Sequence, residues 1–239
     1  MNVFAATDVG KVRTINEDSF YAPGAGEEYV MVADGMGGHQ AGEVASRIAV
    51  EEVSKWLKIA PHPGEEALRH ALTEANLRIF RESRGDVHKA GMGTTLTVLW
   101  FGEGSVFLLH VGDSRAYLIR NGVAIQITRD HSVVGEMVER GELTPEQARV
   151  HPQRNFITRC LGAAGDVEPD IARLVSRPDD IWLICSDGLS NYVKSQEIAQ
   201  VMCSEGSHDD HVHTLVQMAL DRGGADNVTV VAAVQGGLA

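Results

Sequence analysis

The chain has 239 residues, of which 44% are hydrophobic, so it is long enough to bury a substantial core. Its formal net charge is -12, from 33 acidic and 21 basic residues. Such an acidic surface argues against nucleic acid or an anionic membrane as the main partner, because phosphate contacts need clustered Lys and Arg side chains.

The predicted elements alternate between short strand-like runs and longer helical patterns, with no linker or repeat between them. In chain order, apolar runs predict strands over residues 3–7, 19–21, 29–33, 94–101, 105–111, 115–120, 123–128, 181–185 and 228–234. Apolar residues at helical spacing predict helices over residues 41–59, 65–83, 133–140, 144–150, 195–203 and 210–222. We therefore expect one α+β domain over residues 1–239, with sheet inside and helices outside.

The strands between residues 94 and 128 are joined by very short turns. Gly102-Glu-Gly104 joins one pair, and Asn121-Gly122, a strong hairpin signal, joins another. Such turns permit only antiparallel pairing, so we expect a meander across this part of the chain. The polar, irregular segment at about 132–160 is interpreted as an excursion from the core that forms one wall of a cleft.

Targeting and redox signals are sparse. The cysteines Cys160, Cys185 and Cys203 form no CxxC pair, which predicts free thiols and a reducing, cytoplasmic compartment. The first residues lack a charged segment followed by a long apolar one, so no signal peptide is expected. No apolar run reaches the roughly 18 residues of a membrane span, so no membrane insertion is predicted.

Acidic residues next to glycine stand at the ends of four strand-like runs. They are Asp34-Gly35, Gly112-Asp113, Asp187-Gly188 and, more loosely, Gly223-Gly-Ala-Asp226. A strand end fixes each carboxylate in space, but several carboxylates repel one another when they converge in a partly buried site. Hard divalent cations remove that repulsion, since Mg²⁺ and Mn²⁺ prefer carboxylate, carbonyl and water oxygens. The pattern therefore predicts a metal site.

Other phosphate and acyl-transfer chemistries lack their sequence signatures. The glycine-rich run that begins at Gly35 does not match GxGxxG, and no GxxxxGK[ST] occurs. No cysteine is followed six positions later by arginine, and no GxSxG nucleophile elbow is present. Carboxylate–metal chemistry is what remains.

A series of motifs in fixed order completes the sequence evidence. They are Thr7-Asp8-Val-Gly10 with Arg13 and Asn16-Glu17-Asp18-Ser19, Ala33-Asp34-Gly35-Met-Gly37-Gly38-His39, Gly93-Thr94-Thr95, Gly112-Asp113-Ser114-Arg115, Asp130-His131-Ser132, Ser186-Asp187-Gly188 and Asp226-Asn227-Val-Thr229. This series resembles the bacterial branch of the metal-dependent, type-2C protein Ser/Thr phosphatases over residues 6–231. The resemblance implies an α+β fold of four layers, α-β-β-α, with two central antiparallel sheets flanked by helix pairs.

The resemblance also implies two Mn²⁺ or Mg²⁺ ions and a weaker third ion. Asp34 would bridge the two ions, with the Gly35 carbonyl as a further ligand. One ion would be held by Asp187 and Asp226, and the other by Asp18, directly or through water. The resemblance further implies that Glu17 is a water-mediated ligand and that Asp113 is a ligand of the third ion.

Arg13 matches the arginine that grips the substrate phosphate, a use that suits a planar bidentate donor. Eukaryotic relatives carry a histidine general acid directly after Asp-Gly, whereas Met36 stands there in this chain. His39, three residues on, is an alternative proton donor, and bracing of the loop is the competing role for its imidazole. The hydroxyls of Thr94, Thr95 and Ser114 are expected to brace strand ends.

The implied activity is hydrolysis of phosphoserine and phosphothreonine in proteins, by direct attack of a hydroxide that bridges the metal ions, without a phosphoenzyme. Phosphorylated proteins would be the partners, with a cognate bacterial Ser/Thr kinase acting in opposition and the phosphatase working as a monomer. The segment at about 132–160 resembles the flap of bacterial members and is expected to influence substrate choice. Two alternatives stay open: a catalytically silent binding module that keeps the fold, and an enzyme dedicated to a single target.

Overall fold

The computed structural model describes residues 1–23, 28–37 and 41–234. Its strands are β1 (Asn2–Asp8), β2 (Asp18–Tyr21), β3 (Tyr29–Met36), β4 (Gly93–Thr94), β5 (Leu96–Gly102), β6 (Ser105–Val111), β7 (Arg115–Arg120), β8 (Val123–Gln126), β9 (Asp170–Val175), β10 (Ile181–Cys185) and β11 (Val228–Val234). Its α-helices are α1 (Ala41–Ile59), α2 (Glu65–Gly85), α3 (Val133–Glu139), α4 (Pro145–Arg149), α5 (Asp187–Ser190), α6 (Ser195–Met202) and α7 (His208–Asp221). A short 3-10 turn follows α2 at Val87–Lys89.

The strands form two antiparallel sheets. One has the order β1-β11-β10-β7-β8, and the other has the order β2-β3-β5-β6-β9, with β4 paired to the end of β3. The first and last strands of the chain are neighbours, because β1 pairs with β11 from Asn2↔Val234 to Asp8↔Val228. The segment that follows β1 and the segment that precedes β11 therefore start from the same end of this strand pair.

Three apolar layers hold the sheets and helices together. One core lies between α1, α2 and the β2-β3-β5-β6-β9 sheet, and includes Met31, Leu68 and Ile79. A second lies between α6, α7 and the other sheet, and a third lies between the two sheets around Trp182. Burial of apolar surface on both faces of each sheet explains why β3, β5, β10 and β11 are almost continuously hydrophobic. The predicted four-layer α+β arrangement is thus confirmed.

Two sequence expectations are corrected. The stretch from residue 94 to 128 is not one meander: β5–β6 and β7–β8 are hairpins, but β7 pairs with β10 in the other sheet and not with β6. Gly112, with φ of +112°, turns the chain from one sheet to the other. The predicted strand at 94–101 is also interrupted at Thr95, whose backbone N–H bonds to the carbonyl of Asp34 at 2.9 Å.

One strand and one α-helix were not predicted from the sequence. β9 pairs with β6 as an edge strand, and its half-polar sequence, DIARLV, hides the alternation that marks strands. The four-residue α5 starts at Asp187 and is too short for a periodic signal. In the part of the chain that the structure describes, no helix is both long and apolar enough to cross a membrane.

Candidate active site

Asp18 and Asp34 lie directly opposite each other in the antiparallel β2–β3 pair. Directly opposed residues point to the same face, with Cβ atoms about 4.5–5.5 Å apart. Ser186, at the end of β10 in the other sheet, donates its hydroxyl to Oδ2 of Asp18 at 2.8 Å. The two sheets are therefore joined at the point where these carboxylates gather.

The backbone of Asp34 is held on both sides. Its N–H donates to the Thr95 hydroxyl at 2.9 Å, and its carbonyl accepts from the Thr94 hydroxyl at 2.9 Å. Thr95 in turn shares a 2.8 Å hydrogen bond with the hydroxyl of Ser114. These three hydroxyls are buried and already engaged, as expected for groups that brace strand ends.

Asp187 and Asp226 come from two loops that are pressed together. A Cβ at Gly188 would collide with the carbonyl oxygen of Asn227, so only glycine permits this approach. Asn191 donates its side-chain amide to Oδ2 of Asp187 at 3.1 Å, which orients the carboxylate. The close contact explains why Asp-Gly follows β10.

Asp113 lies in the link between the sheets, directly after Gly112. A Cβ at Gly112 would lie 2.5 Å from Cγ2 of Thr95, and its φ of +112° disfavours any other residue. The backbone of His131 clamps the same link, since its N–H donates to the Gly112 carbonyl at 2.7 Å. Asp113 is thereby buried beside the other aspartates, and its carboxyl interacts electrostatically with that of Asp187.

Arg13 reaches the same group from the loop between β1 and β2. Its Nη2 donates to Oδ2 of Asp226 at 2.9 Å, and its Nη1 lies 3.7 Å from Oε2 of Glu17. The side chain remains about half exposed, at 48%. One face of the guanidinium is therefore held by carboxylates while the rest is open to solvent and to a ligand.

Asn227 anchors that loop and was missed as a functional residue. Its side-chain amide donates to the carbonyls of Val9 and Ile15 at 2.9 and 3.0 Å, and its Oδ1 accepts from the N–H of Glu17 at 2.8 Å. Its place directly after Asp226 in the last motif was the available signal.

The electrostatic interactions among the aspartates indicate that their carboxyl groups are neighbours. Burial, followed by the charges of Asp18, Asp187, Asp113 and Asp226, raises the pKa of Asp34 well above its usual range. Burial is also the main reason that the pKa of Asp18 rises to about 7 and that of Asp187 to about 6. Raised pKa values mean that the carboxylates are under-compensated, as expected where a cation belongs.

The residues fit divalent cations. Oδ1 of Asp18 is buried without a hydrogen-bond partner among the described residues, which leaves an acceptor for a cation or its water. Within residues 1–23, 28–37 and 41–234, no group of three acidic, histidine or cysteine side chains is already positioned to hold a metal ion. Mg²⁺ is usually bound by one or two carboxylates and keeps several waters, so it does not require such a preformed group. His39 lies outside the described residues.

Comparison with known proteins identifies the family of the chain. A sequence model of the protein phosphatase 2C family matches residues 11–229, which contain all the aspartates described above. The chain belongs to this family. It is therefore an enzyme of the phosphoprotein phosphatase class, and not a module that retains only the fold.

The similarity to individual members of the protein phosphatase 2C family extends over almost the whole chain. Protein phosphatase PhpP of Streptococcus pneumoniae is 38% identical over 236 residues, which cover 96% of each protein. The crystal structure of the Mycobacterium tuberculosis serine/threonine phosphatase PstP/Ppp has 39% identity and a TM-score of 0.90, and covers 99% of each chain. A structure of the PstP catalytic domain in complex with two manganese ions has 38% identity and a TM-score of 0.88, and covers 98% of each chain.

Proposed function

We propose that this Ser/Thr protein phosphatase hydrolyses phosphoserine and phosphothreonine in proteins with two bound divalent cations, and that the flap at about 132–160 helps to select the substrate. The observation that carries the proposal is the convergence of Asp18, Asp34, Asp187 and Asp226, from two sheets, on one under-compensated acidic site beside Arg13. The two manganese ions in the related PstP structure support this choice of cofactor.

The aspartates divide between two cation positions in this proposal. Asp34 would serve both, with the carbonyl of Gly35 as a further ligand, while Asp187 and Asp226 would serve one position and Asp18, directly or through water, the other. Glu17 would hold a cation through water, and Asp113 with Asp187 would hold a third. The cations, Mn²⁺ or Mg²⁺, supply Lewis acidity to the phosphate and activation of the water that attacks phosphorus.

Arg13 binds the oxygens of the substrate phosphate. Its hydrogen bond to Asp226 fixes the guanidinium, so the donors that stay free are aimed before substrate arrives. Preorganised donors of this kind stabilise the charge that develops on phosphate oxygens in the transition state.

The three hydroxyls that brace Asp34 are not free nucleophiles, because Thr94, Thr95 and Ser114 are buried and hydrogen-bonded. This supports direct attack by water and argues against a phosphoenzyme. The alkoxide that leaves needs a proton, which His39 or a water molecule would donate. The role of His39 stays a prediction.

The biological setting is part of the same proposal. Resemblance to bacterial phosphatases suggests that the enzyme opposes a Ser/Thr kinase in the cytoplasm, and its three free cysteines suit that reducing compartment. Residues 1–239 would act as one catalytic domain and as a monomer.

The test is turnover of a phosphothreonine peptide by the purified protein in Mn²⁺. We expect Asp34→Asn and Asp187→Asn each to lower kcat by at least about a thousandfold, since each removes a charge that holds the cations. Asp209→Asn, an exposed carboxylate on α7, is the control and should keep its activity. Near-normal Mn²⁺-dependent turnover by both site variants would overturn the proposal.

A further inference from the structure

A cavity of about 380 Å³ lies beside the aspartates, between the flap helices α3 and α4 and the hairpin β7–β8. Asp113 and Asp187 form one end of its lining, so the cavity opens directly to the candidate active site. Its volume falls within the roughly 300–1,000 Å³ that is typical of small-ligand sites. It is therefore large enough to accept a side chain next to the reacting phosphate.

Most charges that line the cavity are compensated. Arg115 makes a bidentate ion pair with Asp130, with Nη2–Oδ2 and Nε–Oδ1 distances of 2.6 and 3.0 Å. Arg129 is paired with Glu139, with 3.3 Å between Nε and Oε1. Neither pair has a charge left for a ligand.

Arg149 and Arg154 also line the cavity, and within the described ranges neither side chain has a carboxylate within 4 Å or a hydrogen-bond partner. Arg149 is half-buried at the end of α4, where burial and then the charge of Arg115 lower the pKa of its guanidinium, although Glu146 and Glu197 act in the opposite direction. Arg154 is exposed, so its guanidinium is hydrated and open to a ligand. A half-buried guanidinium without an ion pair, such as that of Arg149, gains from a bound anion.

We propose that this cavity is a subsite for a second anionic group on the polypeptide substrate, bound by Arg149 and Arg154 while the phosphate to be removed lies at the aspartates. The inference rests on the proposed function and deepens it by naming the substrate class: phosphoproteins with a further phosphoryl or carboxylate group near the target residue. Both groups present paired oxygens that match a guanidinium fork.

The position of the cavity favours an anion carried by the substrate over an independent one. One cavity is lined by Asp113 and Asp187 and also by Arg149 and Arg154, so a substrate with one phosphate at the aspartates could place a nearby second anionic group at the arginines. Cations at one end and arginines at the other would together compensate two negative groups.

The experiment uses two matched sets of peptides. One set carries a phosphonate analogue of phosphothreonine, which cannot be hydrolysed, and serves to measure Kd; the other carries phosphothreonine and serves to measure kcat/KM. In each set the flanking positions hold alanine, glutamate or a second phosphonate. For the wild-type protein we expect the anionic peptides to bind with lower Kd, and to show higher kcat/KM, than the alanine peptide by about tenfold or more. In the double variant Arg149→Gln/Arg154→Gln, the ratio between the anionic and the alanine peptides should fall to nearly one, both for Kd and for kcat/KM.

Arg140→Gln is the matched control, because Arg140 is a flap arginine outside the cavity lining that is already paired with Glu142 at 2.7 Å. It should leave both ratios at the wild-type value, and thermal melts would establish that all variants fold. Glutamate and phosphonate peptides separate the carboxylate source of the anion from the phosphoryl source.

Two results would overturn the proposed subsite. The first is no preference for anionic peptides in the wild-type protein, which together with an Arg149- and Arg154-dependent effect of free sulfate on the alanine peptide would make the cavity a site for a free anion. The second is an unchanged preference in the double variant. If no peptide were hydrolysed, the proposed function would fail, whereas the Kd ratios would still decide the subsite.

Discussion

At the scale of single residues, His110 in β6 shows how burial fixes a protonation state. Its Nε2–H donates to the carbonyl of Arg129 at 2.9 Å, because a carbonyl can only accept, so Nδ1 accepts from the Thr97 hydroxyl at 2.9 Å. Burial and then the nearby His131 lower the pKa of His110 to about 4, although Asp130 and Asp170 act in the opposite direction. The imidazole is thus neutral in the folded protein.

Because His110 is neutral when buried, the free energy of unfolding depends on pH. The folded pKa lies below the unfolded value of about 6.5, so the contribution of His110 is complete above pH 6.5 and is lost as the pH falls towards 4. Relative to His110→Gln, we expect the wild-type protein to lose up to about 3 kcal/mol of unfolding free energy over that range. Urea unfolding at pH 4.5 to 7.5 would measure the difference.

The same substitution at exposed His213 is the control for the effect of acidic pH on the stability of the rest of the protein. A wild-type-to-variant difference that stays constant with pH would show that His110 does not titrate in this way.

Residue identities at the site were largely available from sequence. Order and glycine context marked the site aspartates, and the structure places them together. Asn227 and Ser186 were not assigned roles, because hydrogen bonds from loops to a distant strand leave no periodic signal. The pairing of Arg13 with Asp226, 213 positions apart, likewise requires the fold.

At the scale of elements, the contact between α5 and the loop before β11 positions Asp187 against Asp226. We expect Gly188→Ala to lower the unfolding free energy by about 2–4 kcal/mol and to reduce Mn²⁺ affinity, because the new Cβ must displace the carbonyl of Asn227. Thermal unfolding and Mn²⁺ titration would measure both effects.

Gly85→Ala is the control for that prediction, since a Cβ at this position in α2 meets no atom within 4 Å. It should be neutral or slightly stabilising. Equal stability of the two variants would contradict the steric account.

Elements with strong periodicity were predictable, and those defined by long-range pairing were not. The α1 boundaries at Ala41 and Ile59 match the sequence prediction, because one apolar face marks nineteen residues of helix. The crossing at Gly112 was predicted to be part of a continuous meander, because a short Gly-Asp link cannot by itself specify which strand the next one joins.

At the scale of the whole molecule, cation binding is coupled to stability. Burial raises the pKa of Asp18 to about 7 and that of Asp187 to about 6, so the folded apo-protein binds protons more tightly than the unfolded chain. Their contribution to stability is therefore present near pH 4 and is lost as the pH rises past 7.

In the presence of a metal chelator, the Asp34→Asn variant should therefore have a higher Tm than the wild-type protein. The difference in Tm should grow from pH 5 to pH 8. A difference of a few degrees is expected, since each kcal/mol moves the Tm of a chain this size by about 2–4 °C. Mn²⁺ should stabilise the wild-type protein far more than the variant. A lower Tm for the metal-free variant at pH 8 would contradict the repulsion argument.

The pairing of β1 with β11 has a consequence for biosynthesis. Asp226 stands just before the final strand, and the loop with Arg13 is tied down by Asn227 next to it. A nascent polypeptide on the ribosome thus has no complete reaction centre until β11 emerges. Catalysis would therefore begin only after translation has passed that strand.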